Sequence, residues 1–574
     1  MNIIRINMST LKGEIESLSE KYVRFGGRVL SSNILYDEVN PDCDPLGIEN
    51  KLILANGLLA GTGFPNSSRL SIGAKSPLTG GIKESNTGGL AAHRMIQHGL
   101  RAIIIEEKPN PDDLFIIIIE EDNKIDIISM NELKYKGIYE TVKILKKKFG
   151  EKITTLSIGP AGEMKLKAAA IAVSNLDFYP ERFAGRGGLG AVMGSKQIKS
   201  IIIKHPDNPY KVEFKDSDEF KSIIHPFIQQ LINTKGGMAK YGTSGMIEFA
   251  NSIGGLPTFN YKQGSFDGAD NINHYKLHEL ILARNGKYGI PCSPFCVIKC
   301  SNLFKDKNGK RMTKLEYETI AMNGSNLGIS DLDSIAKINY LCNDLGLDTI
   351  EMGGSFGVAM EGGVLDFGDA EKVIEILKEL FQNSNKDKEL WSRIITNGCV
   401  ETGKKLNVKR IPAVKGQGLP AYDPRIFKGL GVTFSTSPMG ADHTAGPAIA
   451  GRGGIDKNKD YGALSSSKHK LELSYDLQLM SLLCDCMGCC FFIGPEIDTM
   501  EIFVKALNAL NGWNLKVNDI FDIAKETIKK EIKFNEKAGI IGQDKLPDFF
   551  YKEKSIPTEN IFDIKKDKTE KLWK

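Results

Sequence analysis

Seven of the ten cysteines fall into two short groups whose residue type and spacing suit metal chemistry. Three lie in PCSPFCVIKC, at Cys292, Cys296 and Cys300, and four more lie in CDCMGCC, which ends at Cys490. A short triplet together with a remote fourth thiolate can supply the four ligands of a cubic iron–sulfur cluster. The pattern therefore indicates such a cluster as its first interpretation.

Three alternatives compete for these cysteines. Disulfides would fit a secreted protein, but the first residues, MNIIRINMSTLKGE, contain neither a long apolar core nor a small-residue cleavage site. Zinc sites usually read C-x2-C, paired with a second C-x2-C or with histidines, whereas this triplet reads C-x3-C-x3-C. Unligated cysteines packed in an apolar core are the third alternative. Spacing alone leaves zinc and core packing open beside the cluster.

Polar glycine-rich loops form a second candidate site in the first third of the chain. GRGGLG at 185–190 matches G-x-G-x-x-G, but NLDFYPERFA before it does not read as a strand and the residues after it soon become one, so the dinucleotide-binding context fails. The segment is either a tight turn or a backbone-amide surface for another phosphate-bearing ligand. Similar loops occur in NGLLAGTGFPNSSR, KSPLTGGIKESNTGG and IGPAGE, with Arg69, Asn86 and Arg186 among them. Together they indicate a large polar cofactor.

Size and composition limit the classes of function. With 574 residues, 41% of them hydrophobic and 25% charged, the chain has an ordinary globular composition. It is too long for one core, and usual domain sizes favour about three domains. A net charge of +4 gives no support to a nucleic-acid partner, and no apolar run approaches the roughly 20 residues of a membrane span. We therefore expect a cytoplasmic protein that binds neither nucleic acid nor a membrane.

The elements that must position these residues change in type along the chain. Residues 1–206 contain short β-branched runs such as RAIIIEE and LFIIIIEE, separated by Gly, Pro, Asn and Asp turns. From there helical periods dominate, as in SDEFKSIIHPFIQQLINT and KLELSYDLQLMSLLCD. The prediction is an α+β multidomain protein with a β-rich domain at 1–206 and two mainly helical domains, at 207–410 and 411–574.

Over nearly its full length the sequence resembles the tungsten-containing aldehyde:ferredoxin oxidoreductases. The matching segments, in order, include NGLLAGTGFPNSSRLSIGAKSPLTG, SNTGG, FAGRGGLGAVMGSKQIKSI, KLEYETIAMNGSNLGI, CNDLGLDTI, TFSTSPMGADHTAG and DCMGCC. The resemblance implies that the β-rich domain carries a bis-pterin cofactor with one tungsten, or molybdenum, and a Mg²⁺ ion that bridges the pterin phosphates. It also implies a 4Fe-4S cluster held by the cysteine triplet and by Cys490.

The same resemblance implies a set of cofactor-binding positions, some of which depart from the family pattern. The pair of D-x-x-G-L-(C/D) motifs reads NDLGLD and DCMGCC here, so Asn343 replaces an aspartate and Cys489 replaces a leucine. The triplet also has one residue more than the usual C-x2-C-x3-C. The cofactor-binding positions carried over are Arg69, Asn86, Gly88, Ala184, Gly185, Gly187, Asn343, Asp348, Asp485 and Cys490.

Catalytic roles and partners also follow from the resemblance. Glu318 in EYET and His443 in GADHT match the glutamate and histidine beside the metal, and imply oxidation of aldehydes to carboxylic acids. Ferredoxin or an electron-transfer subunit is the expected acceptor. Some family members join two subunits through an iron bound by E-x-x-H, but no such motif follows Glu318, so any homodimer is expected to lack that iron. Two alternatives remain. One is a divergent enzyme that acts on a carboxylic acid, a hydroxy acid or an aromatic thioester within a larger electron-transfer complex. The other is a non-enzymatic iron–sulfur scaffold or electron-transfer subunit.

Overall fold

The computed structural model describes residues 1–110, 113–382, 390–449 and 451–574. Its first 203 residues build two six-stranded sheets, with strand orders β2-β1-β6-β3-β4-β5 and β11-β10-β9-β12-β7-β8. The strands are β1 (Asn2–Asn7), β2 (Lys12–Ser17), β3 (Leu52–Asn56), β4 (Leu70–Lys75), β5 (Ile82–Thr87), β6 (Leu100–Glu106), β7 (Phe115–Ile119), β8 (Ile125–Ser129), β9 (Thr154–Ser157), β10 (Ile171–Ser174), β11 (Pro180–Ala184) and β12 (Ile198–Ile203).

The two sheets pack face to face, and a helix covers the outer face of each. The shared core alternates along the strands: Ile4 and Ile6 of β1 face it from one sheet, and Ile117 and Ile119 of β7 from the other. The intervening residues pack outward, against α1 (Gly27–Glu38) on the first sheet and α3 (Ile138–Phe149) on the second. The shorter helices of this part are α2 (Ala91–Gln97), α4 (Pro160–Glu163) and α5 (Leu189–Ser195).

The remainder of the chain is mainly helical. Its small strands are β13 (Lys287–Ile290), β14 (Ser301–Lys305), β15 (Arg311–Thr313), β16 (Ala413–Val414) and β17 (Gln417–Gly418). Its helices are α6 (Ser217–Tyr241), α7 (Gly245–Ser252), α8 (His274–Ala283), α9 (Tyr317–Asn323), α10 (Leu332–Leu345), α11 (Thr349–Glu361), α12 (Ala370–Gln382), α13 (Trp391–Ile395), α14 (Cys399–Leu406), α15 (Lys428–Thr436), α16 (Lys470–Met487), α17 (Ile497–Asn511), α18 (Val517–Lys537), α19 (Phe549–Lys552) and α20 (Lys566–Thr569).

The predicted fold class is confirmed: a β-rich N-terminal part is followed by a largely helical part. Among the described residues no helix is both long and apolar enough to cross a membrane. The helical part has two apolar cores that interleave along the chain. One joins α6 to α16, α17 and α18, and the other joins α7 through α15 to residues 546–564. The boundaries near 206 and 410 stay a prediction.

The prediction that GRGGLG lacks a strand before it was wrong, but the loop is still not part of a dinucleotide-binding unit. The strand β11 ends directly before the loop and the short helix α5 begins at Leu189, so a strand and a helix do flank it. However, β11 and β12 run antiparallel within one sheet, with β10 and β9 between them. A dinucleotide-binding unit needs two parallel strands joined by the helix, so the loop is not one.

Candidate active site

A cavity of about 800 Å³ lies where the β-rich and helical parts meet. Its wall combines loops that follow the strands with the first turns or last turns of several helices. Many of the predicted site residues line it, which sequence order alone could not show because they come from the whole length of the chain. Those lining the cavity are Arg69, Asn86, Gly185, Cys292, Cys300, Glu318, Asn343, Asp348, His443, Asp485 and Cys490.

Three of these residues, from two distant segments, form one hydrogen-bonded row. Arg69 Nε donates to Asn86 Oδ1 and Arg69 Nη2 donates to Asn86 O at 3.3 Å, while Asn86 Nδ2 donates to Asp485 Oδ1 at 3.4 Å. Burial would lower the pKa of Arg69, but the neighbouring Cys490, Cys292 and Asp485 raise it above its ordinary value. Arg69 therefore stays cationic between the two cysteine segments.

A second group surrounds the glycine loop after β11. The carboxylate of Asp348 caps α11 by accepting from Ile350 N at 2.9 Å, and its Oδ2 accepts from Arg186 Nε at 3.3 Å. A Cβ atom added at Gly185 would meet only Asp348 Oδ1, at 3.9 Å, so the backbone here faces open space. Gly187 has φ +85°, which favours glycine, and makes the turn that brings Arg186 into the cavity wall.

The four cysteines predicted to hold a cluster are brought together. All ten cysteines of the chain are free; Cys292, Cys300 and Cys490 line the cavity, and Cys296 lies beside Cys292. A hydrogen bond from Cys296 holds the pKa of the Cys292 thiol well below its usual range, and the same bond raises that of Cys296. Within the described ranges, no three His, Cys, Asp or Glu side chains form a group ready to hold a single metal ion.

The predicted catalytic pair is also adjacent in space. His443 Nδ1 lies 3.5 Å from Glu318 Oε1, and the two side chains are 16% and 14% exposed. Glu318 Oε2 accepts a hydrogen bond from Ala421 N at 2.8 Å, whereas Oε1 has no hydrogen-bond partner among the described residues. Burial raises the pKa of Glu318, against smaller lowering effects from His443 and the Ala421 N–H. A carboxylate with a raised pKa takes up a proton more readily than a solvent-exposed glutamate does.

Four predicted residues lie behind the cavity wall. One of them is Cys296, and the other three belong to the glycine-rich loops. Gly88 packs against the Cys292 carbonyl, and Ala184 is the last residue of β11. A Cβ atom at Gly187 would lie 2.4 Å from Lys83 Cγ. Asn343 does line the cavity, but its Nδ2 donates to Thr313 Oγ1 at 3.0 Å. The Asn343 amide nitrogen is therefore already hydrogen-bonded to β15.

Sequence reasoning missed three charged residues of the wall. Arg182 Nε and Nη2, Lys314 Nζ and Glu84 Oε1 are buried without a hydrogen-bond partner in the described residues, and all three side chains line the cavity. Burial and the neighbouring Arg182 together lower the pKa of Lys314 to about 7, although Glu181 opposes the shift. Arg182 and Lys314 lie in PERFA and KLEYET, so both were inside segments already singled out, but a charged residue near a strand end does not reveal which way it points.

The wall fits a large anionic cofactor held beside a cluster. The buried donors of Arg182 and Lys314, together with Arg69 and Arg186, supply positive charge for phosphate groups, and the open backbone at Gly185 permits close approach. Cysteines from two separate segments line the same cavity, and thiolates on separate segments are the ligand set of an iron–sulfur cube.

Comparison with known proteins finds one family over almost the whole chain. The N-terminal domain of aldehyde ferredoxin oxidoreductase matches residues 3–205, and domains 2 and 3 of the same family match residues 221–572. The tungsten-containing aldehyde ferredoxin oxidoreductase of Pyrococcus horikoshii is 32% identical over 96% of this chain and 91% of its own length. The WOR-like subunit of an aliphatic sulfonate oxidoreductase of Pyrococcus furiosus is 27% identical over 89% of this chain and 82% of its own.

A solved structure shares the fold at low sequence identity. The active-site complex BamBC of benzoyl coenzyme A reductase, bound to 1,5-dienoyl-CoA, superposes with a TM-score of 0.80 at 18% identity, covering 100% of this chain and 92% of that chain. At this identity the likeness concerns the fold alone. The relatives in the sequence comparison are oxidoreductases, and a tungsten or molybdenum pterin and an iron–sulfur cluster are what their family implies. With both family domains matched in order along almost its whole length, the chain belongs to the tungsten-containing aldehyde ferredoxin oxidoreductase family.

Proposed function

We propose that this chain oxidises aldehydes to carboxylic acids, RCHO + H2O → RCOOH + 2H⁺ + 2e⁻. The observation that carries the proposal is the Glu318–His443 pair, 3.5 Å apart at the wall of a cavity that the cysteines and the glycine loops also reach. When bound, the bis-pterin tungsten or molybdenum centre supplies the acceptor for both electrons. An iron–sulfur scaffold without enzymatic activity would need neither the Glu318–His443 pair nor the positively charged residues that line the cavity.

The two side chains would divide the proton chemistry between them. Glu318 acts as general base and removes a proton from water as it adds to the substrate carbonyl, and its raised pKa suits it to that task. His443 donates a hydrogen bond to the carbonyl oxygen, where negative charge develops. The Ala421 N–H fixes one carboxylate oxygen of Glu318 and leaves the other for the water.

The chain's own residues would hold the cofactors in two groups. Arg69, Asn86 and Asp485 would contact one pterin, and Asp348, with the Gly185 backbone, would contact the other; Arg182, Lys314 and Arg186 would balance the phosphate charge. A Mg²⁺ ion between the phosphates belongs to the same proposal. Cys292, Cys296, Cys300 and Cys490 would hold the 4Fe-4S cluster.

We propose ferredoxin or an electron-transfer subunit as the acceptor. Cys300 is the least buried of the four proposed cluster ligands, and the exposed Lys299 precedes it. A cluster held there would come nearest to solvent on this side, which is where a carrier protein would receive single electrons. A homodimer of this chain would not use a bridging iron, since the E-x-x-H motif is lacking after Glu318.

A second candidate is the same machinery acting on a substrate other than a simple aldehyde. Asn343 stands where the motif has aspartate and donates to Thr313, which alters the wall near one proposed pterin. One relative named for a different activity, the WOR-like subunit of the aliphatic sulfonate oxidoreductase, is 27% identical to this chain.

Metal analysis and an aldehyde panel test the proposal together. Protein purified anaerobically from a host that makes the pterin cofactor should contain about one tungsten or molybdenum and about four iron per chain. It should reduce a viologen dye, and ferredoxin, with at least one aldehyde. Loaded protein that oxidises no aldehyde would leave only the second candidate, and a host-loaded chain without group-6 metal would contradict both.

A further inference from the structure

The cavity continues beyond the catalytic pair along an aromatic wall. The His443 ring centroid lies 6.4 Å from that of Phe491, which in turn lies 4.2 Å from the ring of Phe492. Both phenylalanines line the cavity. Such a wall suits the aromatic or extended hydrocarbon body of a substrate better than a small, fully hydrated molecule.

Two cationic side chains line the cavity past Phe492. They are Lys235, near the end of α6, and Arg452, whose side chain is only 9% exposed. Arg452 Nη1 donates to Glu496 Oε1 at 3.0 Å, and a Cβ atom built on Gly494, two residues after Phe492, would lie 3.3 Å from Arg452 Nη1. The backbone that follows Phe492 therefore lies close to the guanidinium.

The charges at this end do not balance among themselves. Among the described residues, Arg452 has one ion pair, with the half-exposed Glu496, and Lys235 has none. Burial lowers the pKa of Lys235, the nearby Arg452 lowers it further, and Glu496 raises it. A half-buried ammonium beside a buried guanidinium is unfavourable without an anionic partner. These cations lie past Phe492, whereas the cations proposed for the pterin phosphates surround the glycine loops and the row that joins Arg69 to Asp485.

We propose that Lys235 and Arg452 bind an anionic group of the substrate, so that the preferred substrates are aldehydes with a carboxylate or phosphate at the end opposite the formyl group. The inference rests on the proposed aldehyde oxidation and names its substrate class. A guanidinium holds either oxyanion through paired hydrogen bonds, and the ammonium adds a point charge. The hydrocarbon body lies along Phe491 and Phe492, with the formyl group at Glu318 and His443.

Three aldehydes of similar shape test the preference: benzaldehyde, 4-formylbenzoate and 4-formylphenyl phosphate. Metal-loaded protein should give a kcat/KM for at least one of the two anions that exceeds the value for benzaldehyde about tenfold or more, mainly through a lower KM, as expected for a charge-assisted contact. The better of the two anions identifies carboxylate or phosphate as the group bound. A ratio of one or less for both anions overturns the inference and leaves aldehyde oxidation standing.

Matched variants locate the effect. Lys235→Met should bring the anion-to-benzaldehyde ratio down to about one, because the unpaired charge is removed. Lys240→Met, five residues on in the same helix at an exposed position outside the cavity, should leave the ratio unchanged. Glu496→Gln should raise the ratio, since it frees Arg452 from its carboxylate. Equal losses in the Lys235 and Lys240 variants would contradict a site at Lys235.

Binding of the product anion separates this inference from the catalytic proposal. Terephthalate, the product of 4-formylbenzoate, should bind to the wild-type protein in a calorimetric titration and about tenfold more weakly to the Lys235→Met variant. If the loaded enzyme oxidised no aldehyde but the titration gave this result, the anion site would stand and the proposed function would fail. Equal terephthalate affinity in both proteins would overturn the site whatever the activity.

Discussion

Two carboxylates near His443 have opposite electrostatic surroundings. Burial raises the pKa of Glu318 more than the nearby His443, 3.5 Å away, and the Ala421 N–H lower it. Burial would also raise the pKa of Asp442, but Lys83, whose Nζ lies 3.0 Å from Asp442 Oδ2, and Arg186 together hold it well below its usual range. Asp442 therefore stays ionised as a positioning group, and Glu318 is the carboxylate of the two that takes up a proton more readily.

The first prediction concerns this proton. Replacing Glu318 by Gln should lower kcat for aldehyde oxidation about 100-fold or more, the usual effect of removing a positioned general base. In the wild-type enzyme the base must be ionised, so kcat/KM should fall as pH drops through the raised pKa, above the ordinary glutamate value of about 4.3. The variant should lose this acid limb of the pH profile and keep its metal content. A variant with near-normal turnover would contradict the role.

The second prediction separates two adjacent cysteines. Cys490→Ser should abolish or distort the low-temperature EPR signal of the cluster, since Cys490 lies beside Arg69 and faces the triplet. Cys489→Ser should keep the signal, because Cys489 packs in the apolar core that α16 forms with α17 and α18. The reverse result would move the fourth ligand by one residue. Iron content measured on both variants controls for loss of the whole cluster.

At the scale of elements, the end of α16 is held by a loop of the β-rich part. The last carbonyls of a helix lack partners within the helix, and here Leu58 N donates to Cys486 O at 2.9 Å and Arg69 N donates to Gly488 O at 3.0 Å. The backbones approach so closely that a Cβ atom at Gly57 would lie 2.0 Å from Gly488 N. The contact fixes the positions of Asp485 and Cys490 relative to Arg69.

The third prediction follows from this contact. Gly57→Ala should destabilise the protein by at least about 2 kcal/mol, because backbone cannot move aside as a side chain can, and should reduce bound iron. Gly236→Ala is the matched control. That glycine lies inside α6 with open space around its Cβ position, so alanine there should raise stability by about 0.5–1 kcal/mol. Thermal unfolding of both variants checks the contrast, and a normal melting temperature for Gly57→Ala would disprove the close packing.

Sequence reasoning was most successful where local pattern and tertiary structure agree. RAIIIEE and LFIIIIEE became β6 and β7, because buried β-branched runs satisfy strand preference and core burial at once. PERFA did not read as a strand: its proline and two charges oppose that state, and only pairing with β10 makes it β11. Gly57 was interpreted as part of a cofactor surface, but it serves the packing of α16, since glycine alone does not reveal which backbone approaches it.

At the scale of the whole molecule, one buried ion pair connects the ends of the chain. Arg28 of α1 donates from Nη2 to Glu531 Oε2 of α18 at 2.7 Å and from Nε to Oε1 at 3.0 Å, and Ser32 Oγ donates to the same carboxylate. The Arg28 and Glu531 side chains are 4% and 0% exposed. Within the described residues, the hydrogen bonds of the Glu531 side chain thus all come from α1, and the pair fixes how α18 lies on the β-rich part.

The fourth prediction tests that pair against a surface pair of the same helix. Glu531→Ala should cost about 3–5 kcal/mol of stability, because it leaves the Arg28 charge buried and uncompensated. Glu526→Ala breaks the ion pair with Lys529, whose side chains are 63% and 61% exposed, and should change stability by about 0–1 kcal/mol. Denaturant unfolding of both variants measures the difference. Similar losses of stability in the two variants would mean that the buried ion pair contributes no more to stability than the surface pair.

The close fit between the Gly57 loop and the end of α16 also sets an order of events during biosynthesis. A ribosome makes Arg69 long before it makes Asp485 and Cys490, so the cofactor-binding wall is incomplete until almost the whole chain has emerged. Contacts this distant in sequence form late in folding. We therefore expect cofactor insertion to follow release of the finished polypeptide, and nascent chains stalled before residue 485 to retain no tungsten or molybdenum when isolated.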